Sequence, residues 1–161
     1  MRSRIALTVL PPFLLLEDSY TDVQSITALL KRIGMVNAVR VIGSVAEAQR
    51  YLTDCPPSRL PVIVFIGAQV RGMHGLELLA WMRQQSEPIA GVAAIALIDH
   101  ADAPEELQAA QLGVASIAKP VEMRALIAAM KGLGLAERAR IDVATLTVQV
   151  ELWPAGTQLD R

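Results

Sequence analysis

The stretch PVIVFIG at residues 61–67, followed by AQVRGMHGLELLA at residues 68–80, decides how this chain folds. An apolar run without polar interruption is typical of a strand buried on both faces of a parallel sheet. The glycine-containing loop that follows gives way to Leu76, Leu78, Leu79 and Met82 at helical spacing. The stretch therefore predicts a buried strand, a loop and a helix.

The same alternation recurs along most of the chain. The other predicted strands are residues 13–16, 39–42, 93–98 and 117–118. The predicted helices are residues 22–33, 44–52, 76–82, 104–112 and 121–130. Strand–helix units of this length predict an α/β fold, a doubly wound five-stranded parallel sheet with right-handed crossovers and helices on both faces.

Several polar residues fall where the predicted strands end. They are Glu17, Asp18, Asp99 and Lys119. Gly67 closes a further strand at the same edge, and Ile98 closes the strand that Asp99 follows. In open parallel sheets the functional crevice lies at the carboxyl ends of the strands, so we expect these positions to converge there.

Three motifs in this order resemble the response-regulator receiver domain. They are LLLEDS at residues 14–19, the strand and loop at 61–79, and AKPV at 118–121. The resemblance covers residues 12–133 and implies a flavodoxin-like receiver fold. It also implies that the acidic pair Glu17 and Asp18 helps to hold Mg²⁺ and that Lys119 pairs with a phosphoryl group. Residues 37–41, NAVRV, further resemble small receivers that partner phytochrome-type kinases.

The chain departs from the receiver pattern at the positions that carry the reaction. Gly67 stands where the family has the phosphate-accepting Asp, and Ile98 stands where it has a Ser or Thr hydroxyl. The aromatic switch residue of the family is missing, because Ser116 and Ile117 stand near its position. Arg71 stands where the family usually has a proline. Gly67, Ile98 and Lys119 therefore define a vestigial phosphorylation site, and we predict a pseudo-receiver that is not an enzyme.

No cofactor is predicted. Without an Asp at position 67, Mg²⁺ loses one charged ligand, and we expect any affinity at Glu17 and Asp18 to be weak. Lys119 is then free to neutralise Glu17 or Asp18. Asp99 is a possible rim carboxylate, and His74 is expected to be an exposed imidazole with no partner motif.

Composition excludes other classes of function. The chain has 161 residues, of which 53% are hydrophobic, and a net charge of -1. This balance gives no electrostatic reason for binding to nucleic acid or to an anionic membrane.

Residues 1–16 superficially resemble a signal peptide, but Pro11 and Pro12 interrupt the apolar stretch, so we expect a cytoplasmic protein. Cys55 is the only cysteine and excludes an internal disulfide.

The C-terminal extension, residues 134–161, has a different pattern. Leu146, Val148, Val150 and Leu152 alternate with polar residues, which indicates a half-exposed strand after a linker at 132–142. A single strand must join a sheet edge or another chain. We predict a dimerisation arm between two copies, with a strand folded back on its own domain as the alternative.

The leading functional prediction is a non-catalytic module of a two-component pathway that acts by phosphorylation-independent contact with a protein. The expected partner is a sensor kinase or another regulator, together with a second copy of the chain. Two alternatives stay open. The chain could be phosphorylated at a non-standard carboxylate, Asp18 or Asp99, or it could sense a ligand in the vacated acidic crevice.

Overall fold

A computed structural model describes residues 9–159 and contains nine strands and five helices within them. The strands are β1 Phe13–Leu16, β2 Val39–Ile42, β3 Ile63–Gly67, β4 Gln69–Val70, β5 Met73–His74, β6 Ala93–Ile98, β7 Ala115–Ala118, β8 Ala136–Asp142 and β9 Thr147–Trp153. The helices are α1 Tyr20–Arg32, α2 Val45–Asp54, α3 Leu76–Gln84, α4 Pro104–Gln111 and α5 Met123–Lys131.

Five strands form one parallel sheet in the order β2-β1-β3-β6-β7. Helices α1 and α5 pack on one face through residues such as Ile26 and Leu126, and α2, α3 and α4 pack on the other. Strands β1 and β3 are completely buried, which explains their uninterrupted apolar sequences. The predicted fold class is confirmed.

The register brings the strand ends to one edge. Leu16 of β1 lies beside Ile66 of β3, and Gly67 lies beside Leu97 of β6. Helix α1 begins immediately beyond this edge, where the Ser19 hydroxyl accepts a hydrogen bond of 3.3 Å from the Asp22 backbone N–H. The residues that follow β1, β3, β6 and β7 therefore border one crevice.

The loop after β3 contains a short hairpin that the sequence pattern did not predict. Strands β4 and β5 pair antiparallel around Arg71 and Gly72, which both have positive φ, 51° and 72°. Left-handed backbone at two consecutive residues is what a tight hairpin turn requires. The hairpin lies over the crevice end of β3.

The prediction that residues 132–142 form a linker is wrong. Residues 136–142 form β8, which pairs antiparallel with β9 in a C-terminal hairpin, and Leu146 lies in the turn with φ 54°. Strand β9 also binds its own domain, because Val150 N–H donates to the Gly34 carbonyl at 2.7 Å and Val36 N–H donates to Val150 at 3.0 Å.

Asn37 holds this hairpin in place. Its side-chain amide donates to the carbonyls of Pro11 and Leu152, both at 2.8 Å, and its oxygen accepts from Leu152 N–H at 2.9 Å. Leu152 and Trp153 are each 4% exposed. The predicted arm was inferred because a lone strand needs hydrogen-bond partners for its backbone. Strand β9 finds these partners within its own chain, in β8 and in residues 34–37, so it folds back on its own domain.

The ends of the hairpin strands differ in exposure. Ile141, Val143, Leu146 and Val148 are 56–82% exposed at the hairpin tip.

Between residues 9 and 159, no helix combines the length and the apolar character that crossing a bilayer demands.

Candidate functional site

The crevice centres on Lys119, which follows β7. Its Nζ lies 2.7 Å from Glu17 Oε2 and 2.9 Å from Asp22 Oδ2. Burial alone would lower the pKa of Lys119, but hydrogen bonds to Glu17 and Asp22, and the attraction of both carboxylates, raise that pKa above its usual value. Lys119 therefore remains an ammonium group and joins the ends of β1 and β7 to the first turn of α1.

Glu17 is the buried member of the acidic pair. Its side chain is 1% exposed, and its second oxygen accepts the backbone N–H groups of Asp18 and Ser19, both at 3.1 Å. Two backbone donors on one oxygen and one ammonium on the other leave neither carboxylate oxygen without a hydrogen bond. The expected ion pair of Lys119 is thus present with Glu17.

Asp18 points elsewhere. Its Oδ2 accepts the backbone N–H of Arg71 at 2.8 Å, so it holds the turn between β4 and β5. The side chain is exposed. The two adjacent acids therefore have separate contacts, one with Lys119 and the other with the loop.

Gly67 lies directly beneath the Glu17 carboxylate. A Cβ atom added at Gly67 would lie 2.8 Å from Glu17 Oε2 and 2.9 Å from the Leu16 carbonyl oxygen. Both distances are shorter than non-bonded carbon–oxygen contacts normally allow. The position that the Cβ of a side chain at residue 67 would take is therefore blocked by the Glu17 carboxylate and by the Leu16 carbonyl.

The remaining positions of the vestigial site are apolar or peripheral. Ile98 is 2% exposed and supplies no hydroxyl, and Ile117 is 4% exposed within the core. Asp99 stays on the rim, with its side chain 61% exposed and its Oδ1 4.0 Å from Lys119 Nζ.

The imidazole of His74 is exposed at the edge of the crevice. Its Nδ1 lies 3.2 Å from Gln69 Nε2, which also donates to Glu105 of α4 at 3.3 Å. These contacts attach the β4–β5 hairpin to α4. They assemble no nucleophile and base.

The acids of the crevice do not form a metal cage in the part of the chain that the structure describes. No group of three or more His, Cys, Asp or Glu side chains in residues 9–159 could hold a metal ion. Glu17 is hydrogen-bonded to Lys119, and Asp18 accepts the Arg71 backbone N–H, so both carboxylates already have partners within the chain.

Asp22 is the site residue that the sequence interpretation missed. As an acid in the first turn of a helix it has an ordinary local explanation, since carboxylates there interact favourably with the helix dipole. Its position three residues after the N-cap Ser19 was the available signal, because α1 begins at the crevice edge.

Comparison with solved structures finds response regulators of similar fold. No family model matches the chain, and no curated protein matches it. The chain is similar to the bacteriophytochrome response regulator AtBRR, with 26% identity, a TM-score of 0.68 and coverage of 78% of this chain and 94% of that one. For the bacteriophytochrome response regulator RtBRR the values are 27%, 0.70, 80% and 80%.

A more distant likeness extends to a response regulator receiver protein from Pseudomonas putida. It is 20% identical, has a TM-score of 0.62, and the match covers 77% of this chain and 98% of that chain. At this identity the match concerns the fold alone. Together with the two closer structures it confirms the resemblance to receiver domains.

Proposed function

We propose that this chain, which has the receiver domain of response regulators, is a non-catalytic signalling module that acts by phosphorylation-independent contact with a protein. The observation that carries the proposal is the glycine at position 67, over which the Glu17 carboxylate is already placed. An acyl phosphate needs a carboxylate at the acceptor position, and glycine has none.

The groups that would stabilise a phosphoryl group are also committed or missing. Lys119 is paired with two carboxylates, and Ile98 is apolar. In a receiver that switches, phosphate shifts a two-state equilibrium through contacts that differ between the states. In this crevice the Lys119 ammonium is already paired, and position 98 supplies no hydroxyl.

The proposed partner is a protein of a two-component pathway, either a sensor kinase or another regulator, in the cytoplasm. The support is the similarity to AtBRR and RtBRR, both described as bacteriophytochrome response regulators. The net charge of -1 favours neither nucleic acid nor an anionic membrane as the partner.

A homodimer is part of the proposal. The exposed apolar tip of the C-terminal hairpin, Ile141, Val143, Leu146 and Val148, supports contact with a second copy. Light scattering of full-length protein at micromolar concentration tests this. Leu146→Asp combined with Val148→Asp should yield a monomer, whereas Thr145→Asp in the same turn should not. A monomeric parent protein would remove the dimer from the proposal.

The alternative of phosphorylation at another carboxylate has one observation in its favour. Asp99 is exposed and its Oδ1 lies 4.0 Å from Lys119 Nζ. Asp18 is less suitable, because its carboxylate holds the Arg71 turn. Ligand sensing in the crevice is opposed by the position of Glu17, which fills the space that the missing Asp leaves.

Incubation with acetyl phosphate and Mg²⁺, read by intact mass, tests the proposed function. We expect no gain of a phosphoryl group. A phosphorylated product that disappears in Asp99→Asn or in Asp18→Asn would overturn the proposal and identify the acceptor. A thermal-shift screen of metabolites addresses ligand sensing, and a stabilising hit lost in Glu17→Gln would favour that alternative.

A further inference from the structure

We propose that Glu17 is a built-in anion that replaces the missing carboxylate of position 67 and holds the crevice in a single state. This inference rests on the proposed function, because it describes what lies at the acceptor position of a receiver that is not phosphorylated. Glu17 is 2% exposed as a whole residue, yet its two carboxylate oxygens accept three hydrogen bonds, one of them from the Lys119 ammonium.

Residues 17 and 67 are sterically matched. A Cβ at position 67 would approach Glu17 Oε2 to 2.8 Å, which is closer than real Cβ atoms come to their neighbours. The same Cβ would lie 2.9 Å from the Leu16 carbonyl oxygen, so a side chain at position 67 is opposed by the backbone of β1 as well as by Glu17, and the contact with Glu17 is the nearer of the two. A larger residue at 67 would push the carboxylate away from Lys119.

The charges are matched as well. Glu17 Oε2 accepts from the Lys119 ammonium at 2.7 Å, and the same ammonium reaches Asp22 of α1 at 2.9 Å. An incoming anion would have to displace Glu17 from Lys119 and leave a buried carboxylate without its cation, which is costly. The internal anion thus fixes Lys119, the end of β1 and the start of α1 relative to one another.

A double-mutant cycle tests the steric match. Gly67→Ala should lower the folding equilibrium constant of the parent by about tenfold or more, and clearly less in a Glu17→Ala background, because the clash with Glu17 is then gone and only the one with the Leu16 carbonyl remains. Glu17→Gln keeps the volume, so Gly67→Ala should remain as harmful there as in the parent. Equal effects of Gly67→Ala in the parent and in Glu17→Ala would overturn the match.

Competitive acetylation of amines tests the charge match without requiring Glu17→Ala to fold. The chain has three lysines, and Lys31 and Lys131 are exposed internal controls. Mass spectrometry of the folded parent should show Lys119 reacting more slowly than both. In folded Glu17→Gln the reactivity of Lys119 should rise while that of the controls is unchanged. Equal reactivity of all three lysines in the parent would overturn the proposal.

The two proposals fail differently. Phosphorylation of Asp99 by acetyl phosphate would overturn the proposed function and leave the coupling between residues 17 and 67 in place. Absence of that coupling, with no phosphorylation, would overturn the internal anion alone, because Gly67 would still lack a carboxylate.

Discussion

Replacing Lys119 by alanine removes the cation from a buried carboxylate. Glu17 has a side chain that is 1% exposed and would keep only its two backbone donors, the N–H groups of Asp18 and Ser19. Removing one partner of a buried ion pair costs about 3–5 kcal/mol. Because the two donors remain and Lys119 is itself partly solvated at 14% exposure, we expect a loss of about 2–3 kcal/mol.

Urea unfolding followed by circular dichroism measures this loss as a lower midpoint at unchanged slope. Lys131→Ala is the matched control, since this lysine is exposed in the last turn of α5 and should change stability by less than about 0.5 kcal/mol. If Lys119→Ala unfolds at the parent midpoint, the ion pair is not structurally important and the reasoning about the buried carboxylate is refuted.

Two further predictions concern pH and the hairpin. The pKa of Lys119 is raised in the folded state, so its stabilisation is complete below pH 10.5 and is lost as the pH rises through the folded value. Urea midpoints measured across that range should therefore fall more steeply for the parent than for Lys119→Ala, and parallel profiles would contradict the raised pKa. Asn37→Ala removes three buried hydrogen bonds and should cost about 2–4 kcal/mol and expose the C-terminal hairpin to limited proteolysis. An unchanged cleavage pattern would show that Leu152 and Trp153 hold the hairpin without Asn37.

Most strands of the central sheet were predictable because short apolar runs mark them in the sequence. The apolar runs at β1 and β6 gave the observed bounds, since strands buried on both faces of a parallel sheet are almost continuously apolar. The bounds of β2 were also predicted, although this edge strand is partly exposed and contains Arg40. The start of α2 was equally predictable, because Ser44 and Glu47 have the spacing of a capping box, and the Ser44 hydroxyl does accept from Glu47 N–H at 3.2 Å.

Strand β8 could not be found in the same way. Its sequence, AERARID, carries four charged residues and has no apolar run. It becomes a strand because β9 supplies a backbone partner, with Ala139 beside Val150 and Ile141 beside Val148. Pairing of this kind depends on a neighbour rather than on local propensity. Because no pattern in the sequence indicates β8 as a partner for β9, we had assigned that partner to a second copy of the chain.

The members of the candidate site other than Asp22 were predictable from the sequence, but their contacts were not. The order of motifs placed Glu17, Gly67 and Lys119 at one edge, as observed. Which acid pairs with Lys119 depends on side-chain directions after β1, where Glu17 turns into the crevice and Asp18 turns toward Arg71. Sequence order does not determine these directions.

The most direct test of the central claim is the backbone amide NMR spectrum recorded with and without Mg²⁺ and beryllofluoride, which mimics a phosphoryl group on a carboxylate. Our account predicts that the amides of Gly67, Ile98 and Lys119 do not shift, because position 67 has no carboxylate and Lys119 is held by Glu17. Shifts concentrated on these residues and propagating into α4 would contradict it, since they would show a crevice that still binds and responds to a phosphoryl group.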